Sequence, residues 1–191
     1  AGAAATADEH TKFQIRVFFF FYQGLKLICS SVSKADHWRF DSFGLSDNVM
    51  AGVRDAGFEF CTPIQAETLP VALAGHDVAG QAQTGTGKTA AFLLATFHHL
   101  EQNPASEKRR VNQPRAFMLA PSRELAIQIH KDALVLGKHT GYQMRVVYGG
   151  AGYEQQRQDL RDGVDILIGT PGRLIDYFKQ NVFDLKEVQV A

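Results

Sequence analysis

Beyond about residue 38 the chain alternates short apolar runs with longer stretches that are apolar on one side only. Runs at Val78, Ala116-Phe117-Met118-Leu119, Met144-Arg145-Val146-Val147-Tyr148 and Asp165-Ile166-Leu167-Ile168 predict β-strands, and Val188-Gln189-Val190 predicts the start of another. Helices are predicted between them, over 88–100, 122–138, 153–162 and 171–180. In the second of these, Leu125, Ile129, Ala133 and Leu136 recur at spacings of four, four and three, which places one buried stripe on a 3.6-residue period. Two helices precede the first strand. One runs from Ser46, a hydroxyl N-cap, to Ala56 with Gly57 as its stop, and the other starts near Pro63 and carries Ile64, Leu69 and Val71. Continuous apolar strands separated by helices imply an α/β fold, a parallel sheet covered on both faces with right-handed crossovers.

Residues 1–36 do not share this order. They open rich in Ala, Gly and Thr, pass through Val17-Phe18-Phe19-Phe20-Phe21-Tyr22, and end in a Ser/Lys stretch. They are expected to be an unassigned, poorly ordered extension, with one short strand or helix around the Phe run. Sequence foreign to the native protein and an amphipathic membrane contact are the two other readings. The apolar run is far short of the roughly 20 residues that span a bilayer. It is also a poor secretory signal, since acidic residues precede it and no small-residue cleavage site follows. No membrane role is expected.

Composition narrows the class. A 45% hydrophobic and 21% charged chain can fold around a core, and 20 basic residues balance 20 acidic ones. Nucleic-acid binding would therefore come from a local site and not from a global basic excess. Cys29 and Cys61 make neither a disulfide framework nor a metal spacing, which suits a reducing compartment. His98 and His99 are expected on the polar side of the helix over 88–100. The segment 101–114, with Lys108, Arg109 and Arg110, is expected to be a solvated surface loop.

The sharpest chemistry lies in Ala82-Gln83-Thr84-Gly85-Thr86-Gly87-Lys88-Thr89. Gly85 and Gly87 let the backbone curl so that its N–H groups point at a phosphate. Lys88 supplies a cation to the outer phosphates, and the Thr89 hydroxyl can ligate Mg²⁺. A helix-forming run follows, so the loop opens at a helix N-terminus, where free amides favour an anion. A nucleoside triphosphate with Mg²⁺ is the expected ligand.

In a parallel sheet the ligand lies at the carboxyl ends of the strands. Four predicted strand ends carry polar or Gly-rich turns: the phosphate loop, Pro121-Ser122-Arg123-Glu124, Gly149-Gly150, and Thr170-Pro171-Gly172-Arg173. Backbone amides at such turns bind phosphates without reading bases, and Arg123 and Arg173 add charge. Their alternatives are local pairing with Glu124 or Asp176, and for Gly149-Gly150 an ordinary turn.

Taken together and in this order, these residues resemble a DEAD-box RNA helicase over roughly residues 38–191. Gly57-Phe58-Glu59-Phe60-Cys61-Thr62-Pro63-Ile64-Gln65 looks like the family's Q motif, and Phe40 stands seventeen positions ahead of Gly57, where the family keeps an isolated aromatic. Ala82–Thr89 looks like motif I, which accounts for the leading Ala. Pro121–Ala126 looks like motif Ia with Ser122 in place of the usual Thr, Gly149-Gly150 like the GG motif, and Thr170–Arg173 like motif Ib. The runs Val78–Gln81 and Gly163–Thr170 point to a bacterial branch that works in RNA degradation.

The resemblance implies a three-layer parallel sheet of the RecA-like P-loop type, incomplete at the C-terminal end, with residues 37–191 as the N-terminal ATP-binding domain. It implies that Gln65 reads adenine through its carboxamide and that Phe40 stacks on the base. Phe58 and Phe60, as large apolar residues, are expected in the core. Lys88 would bridge the β- and γ-phosphates. Single-stranded or structured RNA would lie across Pro121–Glu124, Gly149-Gly150 and Thr170–Arg173, held independently of sequence. The family's Asp-Glu-Ala-Asp, its Ser-Ala-Thr motif and its second RecA-like domain are expected after Ala191. The parent would be a cytoplasmic ATP-dependent helicase, and the fragment is expected to be inactive alone. A degradosome scaffold would bind through that second domain. The alternatives are a non-catalytic nucleotide-binding module, or another P-loop NTPase such as a nucleotide kinase. Gln65 and the later turns argue against a kinase.

Overall fold

The computed structural model describes residues 17–20, 38–83, 85–150 and 152–191. The strands are β1 (Val17–Phe20), β2 (Val78–Gln81), β3 (Ala116–Leu119), β4 (Met144–Val147) and β5 (Ile166–Gly169). The helices are α1 (Asp47–Asp55), α2 (Pro63–Leu73), α3 (Lys88–Gln102), α4 (Arg123–Leu136), α5 (Tyr153–Asp162) and α6 (Pro171–Lys179), and a 3-10 turn covers Phe40–Phe43. Apart from the aromatic run at β1, the expected extension over residues 1–36 lies outside the described residues.

β5 is the central strand of a parallel sheet in the order β3-β5-β4, with Leu119 and Val147 both in register with Gly169. All four β5 residues are buried. Successive side chains of a strand point to opposite faces. Ile166 and Ile168 thus join one core with Val49, Leu69, Leu93, Phe97, Ile129 and Leu136, while Leu167 joins another with Leu160, Leu174, Tyr177 and Phe183. α1, α3 and α4 cover the first face, and α5 and α6 the second, which makes three layers. β2 pairs in parallel with β1, Val17 opposite Val78. Val190 forms a parallel bridge to Ala116, so the run predicted at 188–190 begins to lie beside β3.

Local signals fix the helix ends. The Ser46 hydroxyl accepts from the Val49 N–H at 3.3 Å, and the Ser122 hydroxyl accepts from Leu125 N–H at 3.2 Å. α1 crosses α4 at Gly52, where any side chain would overlap the Leu136 carbonyl. That crossing is tied at the surface by Asp55, which accepts from Lys138 Nζ and lies against His139 Nε2, both at 2.9 Å.

Two surface expectations change. Arg109 is not solvated: it pairs with Asp165 at 2.8 Å and donates to Gln113 O at 2.7 Å, which pins the loop over 101–114 to the entry of β5. His98 and His99 are half-buried, and burial lowers the pKa of both. The cause is that α3 packs against neighbouring elements around most of its circumference. No helix among the described residues is long and apolar enough to cross a membrane.

Candidate nucleotide and nucleic-acid site

The loop after β2 is shaped by Gly85 and Gly87, at φ of 80° and 88°. Only glycine adopts this left-handed backbone without strain. At Gly87 a side chain would also collide with the Gln65 carboxamide. The Thr86 hydroxyl donates to Gln83 O at 2.8 Å and closes the loop on itself. Thr84 lies outside the described residues. Lys88, the first residue of α3, is only 3% exposed, and its ammonium donates to the carbonyls of Ala82 and Gln83. Burial lowers its pKa. Thr89 and Lys88 line a cleft of about 580 Å³ together with Phe58, Leu125, Gln128 and Asp132. Burial raises the pKa of the Asp132 carboxyl. Gln128 and Asp132 had no motif to reveal them; they reach the loop because α4 packs beside α3.

Gln65 is 3% exposed and bonded at both ends of its carboxamide. Its Oε1 accepts from the Thr62 N–H at 2.9 Å, and its Nε2 donates to Gly87 O at 3.0 Å. The Thr62 hydroxyl donates to Thr86 O at 2.7 Å. The start of α2 is thereby stitched to the phosphate loop. The amide keeps further capacity, since its nitrogen carries two N–H donors and its oxygen two lone pairs.

The burial of the aromatics differs from expectation. Phe40, expected over a base, is 1% exposed, and its ring stacks on Phe58 with centroids 6.2 Å apart. Phe58, expected in the core, is 41% exposed and lines the cleft, and Phe60 is exposed as well. The 3-10 turn over Phe40–Phe43 turns Phe40 inward against the main core, while Gly57, at φ of 72°, swings Phe58 outward.

The remaining turns meet on one rim. Because Leu119, Gly169 and Val147 are in register, the turns after β3, β5 and β4 leave the sheet side by side. Ala120 N–H donates to Gly169 O at 2.9 Å, and Thr170 N–H donates to Val147 O at 3.0 Å. Pro121, Ser122, Arg123, Glu124, Gly149, Gly150, Pro171 and Gly172 are exposed there. Ser122 and Thr170 are the N-caps of α4 and α6, so the N-termini of two helices face the same rim.

Neither arginine makes the carboxylate pair considered for it. The Arg123 guanidinium lies 4.8 Å from the centre of the Tyr148 ring. That of Arg173 lies 4.8 Å from Tyr153 and 5.3 Å from Tyr177, and its Nη1 donates to Gln156 Oε1 at 3.3 Å and to the Tyr177 hydroxyl at 3.2 Å. Sequence reading missed Tyr148, Tyr153, Gln156 and Tyr177. The available signal was faint: in the polar helix α5 only Gln156 and Leu160, one turn apart, are buried.

Residues 62–191, more than half of the chain, match a family model described as DEAD/DEAH box helicase. The chain belongs to that family. Among curated proteins, it is 58% identical over 153 residues to the ATP-dependent RNA helicase RhlB of Shewanella piezotolerans, covering 80% of this chain and 35% of that protein. It is 57% identical to the protein of that name from Serratia proteamaculans and 59% identical to that from Shewanella denitrificans, again over 80% of this chain, and over 36% and 35% of theirs. This DEAD/DEAH chain therefore spans about a third of the length of the curated relatives it matches. Membership agrees with the α/β, partly RecA-like fold.

Proposed function

We propose that these 191 residues bind ATP and an RNA backbone as the front part of an ATP-dependent RNA helicase. The observation that carries this reading is the placement of the turns. A glycine loop with a buried lysine follows the carboxyl end of β2, which pairs with β1, and three polar turns stand side by side at the carboxyl ends of β3, β5 and β4 in the second parallel sheet, with two helix N-termini among them.

On this reading the triphosphate takes the place of the Ala82 and Gln83 carbonyls as the partner of Lys88. A phosphate oxygen is a charged acceptor and the stronger partner for a desolvated ammonium. The Thr89 hydroxyl would hold Mg²⁺, which would neutralise phosphate charge. The Gln65 amide offers its second lone pair and second N–H to the N6 amino group and N7 of adenine, a pattern guanine does not match. Phe58, exposed at the cleft, replaces Phe40 as the aromatic that can lie against a ligand.

RNA runs over Pro121–Glu124, Gly149-Gly150 and Thr170–Arg173 and is held by its phosphates and sugars, so binding is independent of sequence and weakens with salt. The parent protein couples hydrolysis to local opening of RNA duplexes and serves RNA turnover in the cytoplasm, in contact with a degradosome scaffold through a part outside these residues. Asp-Glu-Ala-Asp does not occur within residues 1–191, and the chain alone binds without turnover.

Titration of the chain with a fluorescent ATP analogue and with a labelled oligouridine tests the reading. Expected are competition by ATP but not GTP, and an RNA affinity whose logarithm falls linearly with the logarithm of salt concentration. Equal competition by GTP, or salt-independent RNA binding, overturns it. RNA-stimulated ATP hydrolysis by the 191 residues alone would overturn the statement that they bind without turnover.

A further inference from the structure

α5 is polar around most of its surface, yet Gln156 in its first turn is 8% exposed. A buried carboxamide is costly unless it is hydrogen-bonded, and a Leu or Met there would pack on Leu160 without that cost. The use of the amide is visible in its oxygen. Gln156 Oε1 accepts from the Tyr148 backbone N–H at 2.9 Å and from Arg173 Nη1 at 3.3 Å. Its two lone pairs thus join residues from two different turns. Tyr148 leads directly into Gly149-Gly150, and its ring carries Arg123. Arg173 stands in the first turn of α6, directly after β5, where its guanidinium rests against the neighbouring rings of Tyr153 and Tyr177. Among the described residues, the hydrogen bonds of the Arg173 side chain all run through Nη1, so its other donors point elsewhere.

We propose that Gln156 is a positioning residue for RNA: its one carboxamide oxygen sets the spacing between the Gly149-Gly150 turn, the Arg123 that rests on Tyr148, and Arg173, so that the three meet consecutive phosphates of a strand. This rests on the RNA-binding reading above and adds to it the residue that aligns the contacts. Backbone hydrogen bonds already join the strand ends, Thr170 N–H to Val147 O among them. They fix the sheet but not the side chains beyond it. Gln156 carries the alignment one residue further, from ladder to turn.

The test uses the full chain with Gln156→Met, which keeps volume and loses the acceptor. Anisotropy of a labelled oligouridine is read against salt, beside ATP-analogue affinity and thermal midpoint. Expected are RNA binding weaker by about tenfold, a salt slope smaller by about 0.7, the value of one phosphate on a single strand, and nucleotide affinity within about twofold of wild type. Adding Gln156→Met to Arg173→Met should weaken RNA binding by far less than Gln156→Met does alone, because the two act as a unit. Wild-type RNA affinity in folded Gln156→Met, or losses that multiply in the double variant, overturn the inference. Should Gln156→Met fail to fold, Gln156→Asn decides. Its carboxamide is uncharged and one methylene too short to keep both bonds, so RNA binding weaker by about tenfold supports the inference, and wild-type RNA affinity overturns it. A wild-type chain that shows no salt-dependent RNA binding instead sinks the functional reading and this inference with it.

Discussion

Around Lys88 the polar groups are turned in on one another, whereas around Arg123 and Gly149-Gly150 they face solvent. Lys88 is bonded to carbonyls of its own loop, Gln65 to Thr62 and Gly87, and Thr62 to Thr86. On the other side Arg123, Gly149, Gly150, Pro171 and Gly172 are exposed, and the arginines lie on tyrosine rings instead of carboxylates. A ligand at the loop must replace internal bonds, and only a charged, well-matched one does so favourably. A ligand at the rim displaces mainly water. The contrast suits a triphosphate selected for its groups at one end and a phosphate backbone accepted without selection at the other.

The most damaging change should be at the buried aromatic. Phe40→Ala should cost about 3–5 kcal/mol of stability, and Phe58→Ala, being half out of the core, well under half of that, by urea denaturation. The reverse order would contradict the burial of Phe40 and favour the base-stacking role expected for it. Next comes Lys88→Ala, which should weaken ATP-analogue binding by about a hundredfold or more and leave RNA affinity unchanged, since Lys88 stands after β2 and the RNA turns stand on other strands. Parallel loss at both ends would erase the contrast.

At the rim the arginines should differ. Arg173→Ala should reduce RNA affinity about tenfold and also lower the thermal midpoint, because its guanidinium rests against the rings of both Tyr153 and Tyr177. Arg123→Ala should cost only a few-fold in RNA affinity, reduce the salt slope by about 0.7, and leave the midpoint in place.

The smallest effect concerns pH. The Asp55 carboxyl is held below its ordinary range by hydrogen bonds from Lys138 first and His139 second. A carboxyl lowered in the folded state stabilises above its unfolded pKa, near 3.9, and that contribution disappears as pH falls through the lower folded value. The thermal midpoint of Asp55→Asn should therefore fall less steeply than wild type between about pH 4 and pH 2. Identical profiles would show that this exposed tie between α1 and α4 is idle.

Much of this was legible in the chain. The strands at 116–119 and 144–147 and the helices of α1, α4 and α5 lie within a few residues of where hydrophobic period, Ser caps and glycine stops place them. Those signals are local, and local sequence carries them. The four turns were legible for the same reason, since each follows directly on a strand. Arg109 was not legible, because its partner Asp165 stands 56 positions away. Nor was the burial of Phe40 or the exposure of Phe58, two aromatics equally suited to a core or a cleft.

The sequence by itself determined the element order, the glycine loop with its lysine, and the family to which they belong, because periodicity, left-handed turns and helix starts are short-range requirements. Only the tertiary structure decided which aromatic faces the cleft, that Gln65 bridges to the loop, and that one amide oxygen on α5 ties two turns together. Each of those depends on groups brought together by the packing of helices on a sheet, where partners far apart in the chain compete for one buried position.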